Sequence, residues 1–239
     1  MSSLRVAVVG GGSGMGRSTA RLLAESERYS VVIGGRTVEK LADAASGTSI
    51  RHHAVDVADR NSVNAFFEWA EGKLGGTVDI MINAAGINIP NRSMDSMSPE
   101  HWDQMIAVNL TGAYNCLNAV LPKMRAQKDG MAINISSVAG KRAIALAGIA
   151  YSASKFGMTA LGTCVANEAA ADGVRVTNVY PGEVDTPLLM QRPAPVTEEH
   201  RARMLQADHV AKLVLSLIEL PREVHIPEVV VKPLTQEWY

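Results

Sequence analysis

Leu4-Arg5-Val6-Ala7-Val8-Val9-Gly10-Gly11-Gly12-Ser13-Gly14-Met15-Gly16 opens the chain with a short apolar run and a loop holding five glycines. Arg17 to Glu27 continues with the Ala and Leu content of a helix. Strand, tight glycine turn and helix in this order bring backbone N–H groups and a helix N-terminus to a pyrophosphate. The G-x-G-x-x-G dinucleotide spacing fails, because from Gly10 its third glycine falls on Met15. A second spacing, G-x-x-x-G-x-G, fits at Gly10, Gly14 and Gly16.

Outward from this start, strand and helix patterns alternate. Strands are expected over Leu4 to Val9, Ser30 to Ile33, Ile50 to Val55, Val78 to Ile82, Ala132 to Ser136, Val174 to Tyr180 and Glu228 to Val231. Most are continuous runs rich in Val and Ile, the pattern of a parallel sheet covered by helices on both faces. Helices are expected over Met15 to Glu27, Val38 to Ala45, Arg60 to Gly72, Pro99 to Arg125, Ala150 to Ala171 and Asp208 to Leu220. The pattern predicts an α/β fold of the Rossmann type, a doubly wound parallel sheet of about seven strands, with ligand at the carboxyl ends of the strands. Asn83, Ser137 and Pro181 each follow a strand and therefore converge there. The length of 239 residues suits one domain over 1–239, with no internal boundary.

Tyr151-Ser152-Ala153-Ser154-Lys155 carries the chemistry. Residues four apart share one helix face, so the phenol and the ammonium can enter one pocket. A nearby lysine favours the phenolate and is expected to lower the tyrosine from its ordinary value of about 10 toward working pH. Ile135-Ser136-Ser137 precedes this pair and adds a hydroxyl. Neighbouring strand residues face opposite sides, so only one of Ser136 and Ser137 can reach the pocket, and Ser137 is preferred by its distance from Tyr151.

Taken together, the glycine loop Gly10, Gly14 and Gly16, Asp56-Val57, Asn83-Ala84-Ala85-Gly86, Asn109 in Val-Asn-Leu, Ser137, Tyr151 with Lys155, and Pro181-Gly182 followed by Val184 and Thr186 form an ordered series. In this series the chain resembles the short-chain dehydrogenase/reductase family of the classical type, from Leu4 to about Gln236. It departs from the family at Val9, where a threonine is common, at Ala84, where a second asparagine is usual, and at Val229-Val230-Val231-Lys232-Pro233, where a glycine and aspartate signature is missing. The last departure leaves the subfamily and the substrate open.

The resemblance implies hydride transfer between a nicotinamide cofactor and a carbonyl compound or secondary alcohol. Tyr151 would be general acid in reduction and general base in oxidation, and Lys155 would hold the nicotinamide ribose. Ser137 would hydrogen-bond the substrate oxygen, and Asn109 would hold a water linking Lys155 to solvent. Cofactor contacts are expected from Gly10, Ser13, Gly14, Met15, Gly16, Arg36, Asp56, Val57, Asn83, Ala84, Ala85, Tyr151, Lys155, Pro181, Val184 and Thr186. At the end of the second strand, where an NAD-selective sheet carries an acid for the ribose 2′-OH, this chain has Gly35 followed by Arg36. A guanidinium there can fork onto a 2′-phosphate, so NADP(H) is the preferred cofactor, with Arg17 and Thr37 as further contacts. Neutral Gly35 does not forbid NAD(H).

Ile87 to Ser98 and Pro187 to Arg203 fall outside the regular alternation and are expected to be irregular. The second, with Leu188, Leu189, Met190 and Arg192, reads as a flap over nicotinamide and substrate. Lys141 and Arg142 interrupt the apolar wall from Val138 to Ile149 and offer either an anion contact or a solvated pair. Helix Ala150 to Ala171 carries Ala153, Gly157, Ala160, Gly162, Ala166 and Ala169, and relatives commonly pair through this helix and its predecessor. A homodimer or homotetramer is expected.

Composition narrows the alternatives. A net charge of −1 with scattered basic residues provides no field for nucleic acid or anionic lipid. Cys116 and Cys164 form no C-x-x-C or disulfide framework, which suits a reducing cytoplasm. The six histidines make no metal-ligand spacing, and His52-His53 cannot both face one ion. Met1-Ser2-Ser3-Leu4-Arg5 runs into the first strand without room for a leader, and Ala143 to Ala150 is too short to span a bilayer. A catalytically silent NADP(H)-binding regulatory or scaffold protein is the competing reading, disfavoured because Tyr151 and Lys155 are both present.

Overall fold

The computed structural model describes residues 3–237. Met1 and Ser2 of the N-terminal reading, and the last two residues of the one-domain span, lie outside the described residues. The element order is β1 (Leu4–Val9), α1 (Gly14–Ala24), β2 (Tyr29–Gly35), α2 (Val38–Ala45), β3 (Arg51–Ala54), α3 (Arg60–Leu74) and β4 (Ile80–Asn83). There follow α4 (Pro99–Ile106), α5 (Gly112–Gln127), β5 (Gly130–Ile135), α6 (Ile149–Ala169) and β6 (Val174–Pro181). The chain continues through β7 (Val184–Asp185), α7 (Glu198–Arg203), β8 (Leu205–Gln206), α8 (Ala207–Ile218) and β9 (Glu228–Val231).

Seven strands form one parallel sheet in the order β3-β2-β1-β4-β5-β6-β9. Chain direction across the sheet reverses between β1 and β4, which makes this the switch point where a doubly wound sheet opens a crevice for ligand. The continuous apolar strands have a simple cause: alternate residues feed two cores. Val6 and Val8 of β1 enter one core with Leu23 of α1 and Leu217 of α8, while Ala7 and Val9 enter the other with Phe66 of α3 and Leu117 of α5.

The expected strands and helices are present, with ends shifted by a few residues. Two differences bear on function. The stretch expected as one helix from Pro99 to Arg125 is interrupted by a π-helical segment at Ala107–Thr111. Such an insertion is often found at functional sites, and here it turns the Asn109 amide inward. The expected irregular segment Pro187 to Arg203 instead contains a 3₁₀ turn at Pro187–Gln191 and helix α7, closed at its base by the β7–β8 pair. Thr197 accepts a hydrogen bond from the His200 N–H at 3.2 Å and caps α7, with Glu198 and Glu199 in its first turn. That capping signal is legible in the sequence.

Candidate active site

The glycine loop is shaped by contact. A Cβ on Gly16 would lie 2.3 Å from the Gly10 carbonyl oxygen, so α1 can start against the loop only as glycine. Gly10 itself has φ +81, and a side chain there would press within 2.5 Å of the Ala85 nitrogen. Ser13 makes no side-chain cap to α1, whose first turn holds no acid. The first N–H groups of that helix therefore stay available to a phosphate.

Beside this loop runs a groove of about 290 Å³. Gly10, Ser13, Gly14, Met15, Gly16, Arg36, Val57, Ala84, Ala85 and Thr186 line it, as do Val55 and Lys40, which sequence reasoning missed. Lys40 is the third residue of α2, in the helix that begins just after Arg36. Arg17, expected as a further contact, pairs with Asp43 at 2.8 Å on the exposed surface and is not among the groove residues. Asp56 is exposed at the rim, where its carboxylate accepts from the Ala58 N–H at 3.0 Å. Asn83 is buried outside the lining and accepts from the Ala85 N–H at 3.2 Å, while its amide nitrogen has no partner.

A second cavity, of about 600 Å³, adjoins the first through Met15, Thr186 and Leu188. Ser137, Tyr151, Pro181 and Val184 line it, together with the wall residues Val138, Ala139 and Ile144 to Ala147. Ser136 also reaches it, although its hydroxyl points toward the Lys155 carbonyl oxygen at 3.5 Å. Ser137 accepts from the Ala139 N–H at 3.1 Å, which caps the short turn at Val138–Gly140, and it shares the cavity wall with Tyr151.

Lys155 and Asn109 lie one layer deeper. Lys155 Nζ sits 5.7 Å from the centre of the Tyr151 ring and donates to the Ile135 carbonyl oxygen at 3.1 Å. The Asn109 amide accepts from the Ile87 N–H at 2.8 Å and donates to the Ile87 carbonyl oxygen at 3.0 Å, bracing the loop after β4. Gly86 passes close to both groups: a Cβ there would stand 3.6 Å from Asn109 Oδ1 and from Lys155 Nζ, ordinary contact distance.

Electrostatics here differ from the sequence expectation. Burial pushes the Tyr151 phenol above its ordinary value, against smaller opposing pulls from the Ser137 hydrogen bond and the Arg92 charge. Burial likewise pushes Lys155 down to about 8. In each case desolvation by burial, which disfavours the charged form, is the largest cause, and neither group's shift is set by the other. The expected lowering of Tyr151 by Lys155 is therefore absent from the protein without cofactor.

The flap segment is tied to its own base. Glu183 accepts from Arg192 at 2.6 Å and pairs with His200 at 2.9 Å, and Arg201 binds Asp185 at 2.9 Å. Lys141 is taken by Glu228 and stands over the Tyr180 ring at 4.8 Å, so it does not face the cavity. Arg92, Arg192 and Arg203 do line it, and of these Arg92 is buried in the loop after β4 and was overlooked in the sequence. Among the described residues no His, Cys, Asp and Glu cluster could hold a metal ion, and no helix is long and apolar enough to cross a membrane.

A glycine-lined groove at the switch point, opening into a cavity with a serine and a tyrosine, is the arrangement of a dinucleotide-dependent oxidoreductase. Residues 5–196 match the short chain dehydrogenase family. The chain is 35% identical over 234 residues to an uncharacterized oxidoreductase of Staphylococcus aureus (strain USA300), covering 96% of this chain and 97% of that one. Its structure is similar to an alcohol dehydrogenase from the archaeon Thermococcus sibiricus complexed with 5-hydroxy-NADP, with TM-score 0.85, 28% identity and 99% and 100% of the two chains covered. It is also similar to a metagenomic short-chain oxidoreductase in complex with NADP, with TM-score 0.81, 33% identity and 98% and 99% coverage. The chain belongs to the short-chain dehydrogenase family and is an oxidoreductase of that family.

Proposed function

We propose that this enzyme transfers a hydride between NADP(H) and a carbonyl compound or its secondary alcohol, with Tyr151 exchanging the proton. The observation that carries this reading is that Tyr151 and Ser137 together line a cavity that adjoins the glycine-loop groove. When bound, the reduced nicotinamide supplies the hydride to the carbonyl carbon. Tyr151 gives its proton to the carbonyl oxygen, and Ser137 donates a hydrogen bond to that oxygen as negative charge develops. Lys155 would hold the ribose hydroxyls and counter charge on the phenolate, and Asn109 would hold a water through which a proton returns from solvent. In oxidation the same groups act in reverse. NADPH oxidation followed against a panel of ketones, aldehydes and oxo acids tests the reaction; binding of NADPH with no turnover on any of them would favour the silent binding protein instead.

The residues fit a phosphorylated dinucleotide. The loop leaves N–H groups free at the start of α1, and Arg36 and Lys40 supply positive charge along the adenosine side of the groove. Two structurally similar proteins were solved with NADP forms. Arg36→Ala is expected to weaken NADPH relative to NADH by roughly 1.5 to 3 kcal/mol, the range of a charge-assisted contact. Titrations of both cofactors measure it, and equal losses would assign Arg36 a structural role.

The outer surface of α4, α5 and α6 supports assembly as a symmetric oligomer. Trp102, Tyr114 and Phe156 are exposed there, with Ala153 and Ala160 beside them. Gly162, Ala166 and Ala169 face inward, where they pack on the sheet rather than on a partner. Light scattering at micromolar concentration should give a dimer or tetramer. Cys116 and Cys164 are unpaired, which agrees with a cytoplasmic setting.

A further inference from the structure

Arg92 is 8% exposed, and among the described residues it has no carboxylate partner. Its guanidinium is held by backbone oxygens alone: Nε donates to Ile89 at 2.8 Å, Nη1 to Leu146 at 2.9 Å and Nη2 to Gln191. These contacts tie together the loop after β4, the cavity wall and the flap. A positive charge taken out of water normally needs a countercharge, because dipoles compensate it only in part. Of the two carboxylates that line this cavity, Glu183 is engaged by Arg192 and His200, and Glu237 is exposed and makes no ion pair with Arg92.

The guanidinium carries five N–H donors. The three carbonyl contacts occupy one donor on each nitrogen, which leaves one N–H on each terminal nitrogen for an incoming acceptor. Both Arg92 and Tyr151 line the cavity, so an acceptor bound at Arg92 would belong to the molecule whose carbonyl faces Tyr151. The charge of Arg192 nearby adds to the demand for an anion. A Cβ on Gly148 would lie 2.6 Å from Arg92 Cβ, so the backbone of the wall closes over the arginine stem and limits its swing toward solvent.

We propose that Arg92 anchors a carboxylate on the substrate, which makes the substrate an oxo acid or a carboxyl-bearing aldehyde and the product the corresponding hydroxy acid. A planar carboxylate suits the site, since it presents two oxygens to the two remaining donors of the planar guanidinium. The carboxylate itself is unchanged: the carbonyl carbon gains the hydride and its electron pair, and the carbonyl oxygen gains the Tyr151 proton. This assignment rests on the proposed carbonyl reduction and adds the class of substrate to it.

The test compares 3-oxobutanoate and 4-carboxybenzaldehyde with their methyl esters, using the full chain with NADPH. Wild type should prefer each acid over its ester in kcat/KM. Arg92→Met should cut that acid-to-ester ratio by about tenfold to a hundredfold, chiefly through KM for the acid, and Arg92→Lys should restore part of it. A purely structural Arg92 would lower both rates and leave the ratio unmoved. No preference in wild type, or an unchanged ratio in Arg92→Met, overturns the proposal. If no carbonyl compound is reduced, the failure lies with the reaction, and binding decides the anchor. In calorimetry with the NADP⁺-loaded protein, 4-carboxybenzaldehyde should then bind more tightly than its methyl ester to wild type and not to Arg92→Met. Equal binding to wild type would end it.

Discussion

Tyr151→Phe is expected to lower kcat for carbonyl reduction by a factor of about 10² to 10⁴, while NADPH binds with near-normal affinity. The substitution removes one oxygen from the cavity wall and leaves Ser137, Lys155 and the glycine loop in place. Ser137 still caps the turn at Val138–Gly140 through the Ala139 N–H at 3.1 Å, so the wall has no cause to rearrange. The pH dependence follows from the direction of the Tyr151 shift. A phenol held above its ordinary value of 10.0 is protonated throughout the neutral range, so reduction should be flat there and fall only at alkaline pH. Oxidation needs the phenolate and should rise with pH, with bound oxidised nicotinamide and its ribose contacts to Lys155 bringing that rise toward neutrality. Rates in both directions across pH, with cofactor binding followed separately by fluorescence, measure these effects. Wild-type turnover by Tyr151→Phe would remove Tyr151 from the role of proton donor.

Lys155→Met should show a trade between stability and activity. Burial lowers Lys155 from its ordinary 10.5 to about 8, so the folded protein carries an ammonium in a site that resists charge. Below about pH 8 both folded and unfolded chains hold this proton, and the full cost is present. Between about 8 and 10.5 the unfolded chain still holds it while the folded one has released it, so the penalty shrinks as pH rises; above 10.5 it is gone. The gap corresponds to roughly 3 kcal/mol at about 1.4 kcal/mol per pH unit. The variant without cofactor should accordingly be more stable than wild type near neutral pH by up to that order, with the difference fading toward pH 10. Urea unfolding of both proteins at neutral and alkaline pH checks this. The same variant should raise KM for NADPH and lower kcat, because a cofactor contact and the countercharge for the phenolate are lost together. A variant less stable at neutral pH would mean that the Lys155 bond to the Ile135 carbonyl oxygen outweighs the burial of its charge.

Much of the fold was legible before any coordinates. β1 and the glycine loop could be read because a parallel strand buried on both faces must be apolar throughout, and because contacts as close as Gly16 on Gly10 admit no side chain. The direction and order of the elements followed from their alternation, and Ser137 and Tyr151 were both expected at the carboxyl ends of strands or on the helix beside them. Harder to read were features made by a single local compromise. The π-helical turn around Asn109 leaves no distinct mark in Ala107–Thr111, because it depends on the amide finding Ile87 across the fold.

Residue type and spacing were enough to put Tyr151 and Lys155 on one helix face and Ser137 and the loop glycines at the ends of strands, since helix and strand periodicity are properties of the chain alone; the family resemblance joined them into one site. Tertiary structure decided how the charges are balanced. Whether Tyr151 is pushed up or down depends on how much water is excluded around it, and that is a sum over every segment packed against the cavity. Arg17 and Arg36 look alike in sequence, yet Asp43 takes up the first and the second lines the groove. Arg92 sits in a loop with no periodicity to give it away, and only the meeting of that loop with the wall at Leu146 and the flap at Gln191 buries its charge beside Tyr151.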